Sequence, residues 1–491
     1  MAQICVSLTE GTTQGVIDRM AALEGVADLF EVRGDLVLDL DLLEILRART
    51  RPIVFACRPV SEGGHWDEGE SRRRLLLLEA VKRGYDYVDV EYRSDLMDVA
   101  MEKSGNGLIV SYHDMEGTPE DLEGLYTRMC DRGADVVKIA VTPRSVADVG
   151  RVMKLAAAVA VSRGKPLIAI ALGPLGLITR VVGGRYHAPF TYAAAAEGAE
   201  TAPGQISADL LADMYRVRDV TEKTRVYGVL GGTVRRSLSP LIHNRAFAAR
   251  HVDAVYVPLQ AEAVDAFMRA LPSLDLAGFS VTRPYKVEIL RHLHEVEEQA
   301  AMCGSVNTVV AQEGTLRGST TDGIGVVGPL KKRGELKGKG VVIVGAGGAA
   351  RSAALALRRK GARVTLLARN PLQAVEAAAA TGCAPGALED LPRHVWDILV
   401  NATPVGSASA PDETPVPERL HRRGTVVLDM VYDPLETRLL REAQAAGCKI
   451  IDGLEMLLAQ AAAQFETWTG LEAPVEAMRE AAVRIAQEQE A

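Results

Sequence analysis

Apolar residues recur along the first two hundred positions as short runs, separated by stretches whose apolar residues fall at helical spacing. The runs are Ile4–Leu8, Leu29–Arg33, Ile53–Arg58, Tyr87–Glu91, Leu108–His113, Val136–Val141, Leu167–Leu172 and Tyr186–Tyr192. Eight strands alternating with helices predict a closed (β/α)8 barrel, a fold whose active site lies at the C-terminal ends of the strands. Polar residues gather at those ends: Ser7, Glu31 with Arg33, Arg58, Glu91, His113 and Lys138. Arg180 follows the seventh run, and Thr201 and Gln205 follow the eighth. A core strand has no packing reason to finish in charge, so the pattern that predicts the fold also predicts a site.

The rhythm breaks at the polar segment 219–224, Asp-Val-Thr-Glu-Lys-Thr, which reads as a linker. Farther on, the apolar run Gly340–Val344 enters a glycine-rich turn, Gly345-Ala346-Gly347-Gly348-Ala349, and then an alanine-rich helix. Strand, glycine turn and helix in that order predict a dinucleotide-binding Rossmann unit, with the pyrophosphate at the helix N-terminus. One strand later, where an NAD site places an acid for the ribose hydroxyls, the chain has Arg369. An arginine there suits a 2′-phosphate and favours NADP.

The candidate chemistry centres on Lys138, set among β-branched residues in Val136-Val137-Lys138-Ile139-Ala140-Val141. Burial disfavours the ammonium form and leaves free amine to attack a carbonyl, as in a Schiff-base lysine; a lysine whose head reaches solvent at a strand end is the alternative. An imine would acidify the neighbouring C–H, and His113 can remove that proton and return one to a departing hydroxyl. Arginines beside an acidic rim suit a polyhydroxylated carboxylate, with Arg180 as its clamp. The reaction class is imine-assisted elimination of water. In the second half, Lys286 and Asp322 could relay a proton to a hydroxyl as hydride leaves the same carbon, or form an ordinary ion pair. The turn Arg236-Ser237-Leu238-Ser239-Pro240 offers two hydroxyls, for a carboxylate or for capping a helix.

Residues 1 to about 218 resemble the type I 3-dehydroquinate dehydratases. The resemblance rests on Glu31-Val32-Arg33, Cys57-Arg58, Glu62-Gly63-Gly64, Ser111-Tyr112-His113-Asp114, Val137-Lys138-Ile139, Gly176-Leu177-Ile178-Thr179-Arg180 and Ala202-Pro203-Gly204-Gln205. It implies that Lys138 forms the imine, His113 is the general acid and base, and Glu62 supports it. It also implies that Ser7, Glu31, Arg33, Arg58, Arg180, Thr201 and Gln205 hold the substrate, Thr201 standing where the family has serine.

From Tyr227 to Gly470 the chain is similar to shikimate dehydrogenase, through Ser237-Leu238-Ser239-Pro240, Val281-Thr282, Pro284-Tyr285-Lys286, Gly304-Ser305-Val306-Asn307-Thr308 and Asp322. Asn401-Ala402-Thr403, Asp429-Met430-Val431-Tyr432 and Asp452-Gly453 through Gln460 continue it in order. This resemblance implies catalysis by Lys286 and Asp322, and shikimate binding by Ser237, Ser239, Thr282, Asn307, Tyr432 and Gln460. NADP contacts would come from Gly345, Ala346, Gly347, Gly348, Ala349, Arg369, Met430 and Gly453. Ser280 and Thr320 stand where the family has asparagine, and Pro404 where it often has serine.

Joined, the halves resemble a fused dehydratase and dehydrogenase, with 3-dehydroquinate, 3-dehydroshikimate and shikimate as the small-molecule partners and NADP(H) as the cofactor. The expected domains are a barrel over 1–218, a linker over 219–224, a substrate domain over 225–327 completed by helices in 454–491, and a Rossmann domain over 328–453. Ser280 and Thr320 motivate one alternative, a second half that acts mainly on quinate. A non-catalytic two-domain interaction protein is the other.

Composition narrows this picture only slightly. At 491 residues with a formal net charge of −8, the chain has ample core and no basic footprint for nucleic acid. Six scattered cysteines lack metal-ligand spacing and read as reduced thiols, so no metal site is expected. The longest apolar stretch, Pro166–Ile178, is interrupted by Gly173-Pro174 and too short for a bilayer. With a first strand close to Met1, the expectation is a cytoplasmic protein without a membrane partner.

Overall fold

The computed structural model describes residues 2–96, 99, 105–234 and 236–490, the side chains of 485–490 excepted. The chain forms two compact units: residues 1–228 with 233–235 and 253–276, and residues 229–232 with 236–252 and 277–491.

The barrel strands are β1 (Gln3–Leu8), β2 (Leu29–Arg33), β3 (Ile53–Ala56), β4 (Tyr87–Glu91), β5 (Gly107–Asp114), β6 (Val136–Val141), β7 (Leu167–Ala171) and β8 (Phe190–Ala194). Around them lie α1 (Thr13–Ala22), α2 (Leu42–Ala48), α3 (Glu70–Arg83), α4 (Leu122–Cys130), α5 (Val146–Ser162) and α6 (Leu177–Val181). All pairings in the series β7-β6-β5-β4-β3-β2-β1-β8 are parallel. Inward residues stack in layers. Cys5, Leu29, Val54, Ile109, Val136, Ile168 and Phe190 form an apolar floor, and two residues farther along their strands come Ser7, Glu31, Ser111, Lys138 and Tyr192. Period-two alternation therefore lifts a polar layer directly onto an apolar one.

Two expectations change here. The eighth strand is Phe190–Ala194, not Tyr186–Tyr192: residues 183–186 make a helical turn and His187 sits at φ 60°. Pro189, which has no N–H, marks where the strand begins. Nor do β7 and β8 pair, so the barrel is closed except for one seam. There the Ala171 N–H is taken by the Thr179 hydroxyl at 3.1 Å, and the Tyr192 carbonyl accepts from Arg180 Nη1 at 3.4 Å. Side chains of α6 thus occupy ladder positions that a neighbouring strand would fill.

Next come β9 (Arg225–Gly231), α7 (Ser239–Ala249), β10 (Ala254–Gln260), α8 (Val264–Leu274), β11 (Gly278–Val281), β12 (Glu295–Val296), α9 (Glu298–Cys303), β13 (Thr308–Gln312), β14 (Thr315–Ser319) and α10 (Asp322–Lys331). Their sheet has the order β10-β9-β11-β13-β14-β12. The Rossmann strands are β15 (Gly340–Val344), β16 (Arg363–Ala368), β17 (Ala384–Ala387), β18 (Ile398–Asn401), β19 (Val426–Asp429) and β20 (Lys449–Ile451). They are parallel in the order β17-β16-β15-β18-β19-β20, the doubly wound arrangement that binds dinucleotides where the strand order reverses. Their helices are α11 (Gly348–Arg359), α12 (Pro371–Thr381) and α13 (Arg438–Ala445). Two apolar clusters cover the two faces of the sheet. The chain ends with α14 (Gly453–Thr469) and α15 (Val475–Glu490). No helix among the described residues is long and apolar enough to cross a membrane.

Candidate active sites

Ten residues expected in the first site, Ser7, Glu31, Arg33, Arg58, Glu62, His113, Lys138, Arg180, Thr201 and Gln205, line one cavity of about 520 Å³ counted to its open mouth. Lys138 is buried, but its amine is not in apolar surroundings. Nζ lies 3.3 Å from Glu31 Oε1 and 3.1 Å from Asp89 Oδ2, because the inward layer of the barrel is polar where its strand neighbours are not. The amine is thus paired with two carboxylates. Glu31 also accepts from Ser7 Oγ at 2.8 Å, Gln205 Nε2 donates to Ser7 Oγ at 3.3 Å, and Thr201 Oγ1 donates to Gln205 Oε1 at 3.0 Å. A hydrogen-bonded chain thus joins β1, β2 and the segment after β8 to the lysine.

Arg58 spends its guanidinium on Asp89 (2.9 Å), Glu91 (2.7 Å) and the Ser111 hydroxyl (2.7 Å), and Arg33 forks onto Asp35. Burial alone would raise Asp89; Arg58 and Lys138 together hold its carboxyl far below the usual range. Arg73 on α3, fully buried, pairs with Glu91 and donates to the Cys57 carbonyl at 3.1 Å. Arg180 differs. It is buried, its contacts are the carbonyls of Tyr192 and Pro203, both at 3.4 Å, and its Nε has no partner among the described residues. Burial pulls its pKa down to about 10. A guanidinium in that state calls for an anion.

His113 receives Glu62 from the turn Val60–Glu62: Nδ1 lies 3.1 Å from Glu62 Oε2, and the His113 backbone N–H donates to the same oxygen at 3.0 Å. Burial, then Arg58 and Lys138, push the imidazole well below its ordinary value. Burial pushes the Glu62 carboxyl up to about 7 against the pull of Arg58. His113 is therefore neutral near neutral pH, ready to accept a proton. Asp89, Asp35, Arg73 and Tyr192 escaped the sequence reading of the site, and Glu91 entered it only as a polar strand end. The alternation Tyr87-Val88-Asp89-Val90-Glu91 was the available signal, since it aims both acids inward.

In the second unit, Lys286 Nζ meets Asp322 Oδ2 at 2.5 Å. Asp322 opens α10, where a helix N-terminus favours a carboxylate. Its other oxygen accepts from Asn307 Nδ2 at 2.9 Å, and that amide also reaches Gln460 Oε1 on α14 at 3.2 Å and Thr321 Oγ1 at 3.0 Å. Thr282 begins the turn that carries Lys286, its carbonyl accepting from the Tyr285 N–H at 3.0 Å. Ser237 Oγ accepts from the Ser239 N–H at 3.3 Å just ahead of α7, whose N-terminus carries no side-chain cap. Tyr432 also hydrogen-bonds Ser237; burial raises its phenol. Ser280 Oγ donates to Gln464 Oε1 at 3.1 Å, and Thr320 Oγ1 pairs with Ser352 Oγ at 2.9 Å. Gln464 and Ser352, both fully buried, also escaped the sequence reading; Gln464 follows Gln460 by four positions on one helix face.

The glycine-rich turn fits a dinucleotide. Gly345 sits at φ 121°, where a side chain is strained, and the N-terminus of α11 has no side-chain cap. Ala346 follows, and Gly347 is the cap residue of α11. Arg369 stands exposed just past β16. Met430 donates its N–H to the Asn401 carbonyl at 3.0 Å, and Gly453 packs against the Val431 carbonyl.

A barrel with a polar cavity at its strand ends, followed by an α/β unit and a Rossmann domain, defines a two-headed enzyme, a lyase and a pyridine-nucleotide oxidoreductase. Comparison with known proteins gives the family. Residues 4–222 match the type I 3-dehydroquinase family, 229–309 the shikimate dehydrogenase substrate-binding domain, and 453–483 the shikimate 5'-dehydrogenase C-terminal domain. Residues 340–403 match an FAD-binding domain, a likeness explained by the strand, turn and helix that FAD and nicotinamide folds share. The chain is 37% identical to the chloroplastic bifunctional 3-dehydroquinate dehydratase/shikimate dehydrogenase of Arabidopsis thaliana, over 94% of this chain and 81% of that one. It is 43% identical to the NADP(+) shikimate dehydrogenase of Pyrococcus abyssi over 52% of this chain and 96% of the relative. The structure of the Thermus thermophilus shikimate 5-dehydrogenase with NADP(H) and shikimate matches at TM-score 0.50 and 38% identity, over 53% of this chain and 99% of that one. The chain belongs to the family of bifunctional 3-dehydroquinate dehydratase/shikimate dehydrogenases. It is a lyase in its first half and an NADP-dependent oxidoreductase in its second.

Proposed function

We propose that each activity is carried by the cluster described above in its own half of the chain. Lys138 adds to the C3 ketone of 3-dehydroquinate and the carbonyl oxygen leaves as water, forming a protonated imine. The imine draws electrons from C2, where neutral His113 removes a proton, and the C1 hydroxyl departs as a second water with a proton returned by His113. Hydrolysis of the imine frees 3-dehydroshikimate and restores the lysine. Arg180 takes the substrate carboxylate, Glu62 orients His113, and Ser7, Glu31, Arg33, Arg58, Thr201 and Gln205 hold the ring hydroxyls and the charged shell around them.

In the second half, Lys286 gives a proton to the ketone oxygen while Asp322 holds and recharges it. Asn307 and Gln460 fix Asp322 and the ring hydroxyls, with Thr282, and Ser237, Ser239 and Tyr432 receive the carboxylate. The hydride comes from NADPH when the cofactor is bound. Gly345, Ala346, Gly347, Gly348 and Ala349 would cradle its pyrophosphate and Arg369 its 2′-phosphate, and Met430 and Gly453 would also contact the cofactor. The corresponding domains are the barrel over 1–218, the linker over 219–224, the substrate domain over 225–327 with 454–491, and the Rossmann domain over 328–453. We place this chemistry in the cytoplasm, with small molecules rather than nucleic acid as partners.

The observation that carries this reading is the meeting of a lysine amine, a neutral histidine with its carboxyl partner, and a buried guanidinium facing only carbonyls, in one cavity. Quinate as the main substrate of the second half gains no support from Ser280 and Thr320, whose hydroxyls are bonded to Gln464 and Ser352. Borohydride added during turnover of 3-dehydroquinate tests the first half: mass spectrometry should find the reduced adduct on Lys138. An adduct on another lysine, or none, removes the imine assignment.

A further inference from the structure

Tyr192 has no part in the roles above, yet it touches the reacting nitrogen. On β8 it faces into the barrel, 3% exposed, and its ring centroid lies 4.0 Å from Lys138 Nζ. Its hydroxyl is buried and has no hydrogen-bond partner among the described residues. Its backbone carbonyl accepts from Arg180 at 3.4 Å, so one residue contacts both the nucleophile and the carboxylate clamp.

We propose that Tyr192 is a further catalytic residue of the dehydratase. Its ring face carries the charge on the Lys138 nitrogen through the imine stage, and its hydroxyl takes over the hydrogen bond to the carboxylate that the lysine lets go. The proposal rests on the imine reading given above.

Condensation converts R–NH3+ and a ketone into R–NH+=C and water. The nitrogen keeps its charge but loses two of its three hydrogens, which leave with the ketone oxygen. The ammonium bonds two carboxylates, Glu31 and Asp89. The imine nitrogen, with one N–H, can keep at most one of them. A ring face needs no N–H, because it attracts the charge through its quadrupole, so that contact survives the change. One buried carboxylate meanwhile loses one of its donors, Glu31 keeping Ser7 and Asp89 keeping Arg58 and Ser111. Tyr192 offers a donor with no prior engagement in the same acidic surroundings. Burial first, and then the charges of Glu31 and Asp89, raise the phenol well above its ordinary value, so it stays protonated to donate. A buried hydroxyl left unpaired in the free protein is then explained by the intermediate that uses it.

The test uses the full chain with Tyr192→Phe, which deletes only the hydroxyl, and Tyr192→Leu, which removes the ring face. The readouts are the fraction of Lys138 trapped by borohydride with 3-dehydroquinate, dehydratase kcat and KM, and thermal midpoint. Far-UV circular dichroism together with the thermal midpoint serves as the folding control, because the dehydrogenase site lies in the other compact unit. Tyr192→Phe should lower kcat about tenfold with KM within about threefold, and leave the midpoint equal or higher. Tyr192→Leu should cut the trapped fraction at least about tenfold. Wild-type kcat in Tyr192→Phe overturns the role of the hydroxyl, and wild-type trapping in Tyr192→Leu overturns that of the ring. Should Tyr192→Leu fail the folding control, Tyr192→Phe decides through kcat. Absence of trapping in the wild type removes the imine reading itself, whereas normal wild-type trapping with unaffected variants removes only the proposal for Tyr192.

Discussion

Arg180 shows how burial converts a side chain into a receptor. Its guanidinium is enclosed with no carboxylate partner among the described residues, a state that fits the proposed role of receiving a substrate carboxylate. Arg180→Gln should therefore raise KM for 3-dehydroquinate about a hundredfold or more, in line with loss of a charge-assisted bidentate pair. A non-reacting carboxylate analogue should raise the thermal midpoint of the wild type and not of the variant. The Glu62–His113 pair sets the pH response. Glu62 titrates near 7 in the folded chain, above its ordinary 4.5. Below about pH 7 it is neutral; above, its charge supports His113 as a base. Dehydratase kcat/KM should thus rise through an acid limb of apparent pKa about 7 belonging to the pair, and Glu62→Gln should flatten that limb. For stability the sign is opposite. A raised carboxyl pKa contributes fully below pH about 4.5, and that contribution is lost as pH rises through 7. At this scale the sequence announced Lys138 and His113 but not their environment. A strand of β-branched residues says that Lys138 is buried; only the barrel interior reveals that Asp89 and Glu31, distant in sequence, flank it.

Helix α10 carries the second site. Its first residue is Asp322, and Gly323 brings its start against α11: the N–H of Gly323 donates to Ser352 Oγ at 2.9 Å. A Cβ at Gly323 would lie 2.7 Å from Ala356 Cβ and 3.0 Å from the Ser352 carbonyl oxygen. Gly323→Ala should cost about 1–3 kcal/mol in stability, as overpacking does. It should also lower dehydrogenase kcat more than tenfold while the dehydratase rate holds, which separate assays of the two reactions would check. Elements were legible wherever hydrophobic period and punctuation agreed, as in the first seven strands and the strand, turn and helix of the Rossmann start. The eighth strand was misplaced because Tyr186 and Ala188 continue an apolar alternation that Pro189 interrupts. The seam between β7 and β8 could not be read, since it depends on Thr179 and Arg180 filling backbone positions across space.

In the whole molecule, each cluster is assembled inside one compact unit, and neither borrows a residue from the other. The activities should therefore separate genetically. Lys138→Ala should abolish dehydration and keep ketone reduction, and Lys286→Ala should do the reverse. A mixture of the two variants should still convert 3-dehydroquinate to shikimate, after a lag set by released intermediate; no conversion would mean that the intermediate does not leave the chain that makes it. Two fused activities add at most proximity to one another. The central claim is that one chain performs two successive steps, an elimination and then a reduction. The most direct measurement follows enone absorbance in purified protein given 3-dehydroquinate, first without NADPH and then with it. The account predicts that absorbance rises without cofactor and falls when NADPH is added, with matching oxidation of the cofactor. Absorbance that never rises would contradict the imine-forming site, and absorbance that rises but survives NADPH would contradict the reducing one.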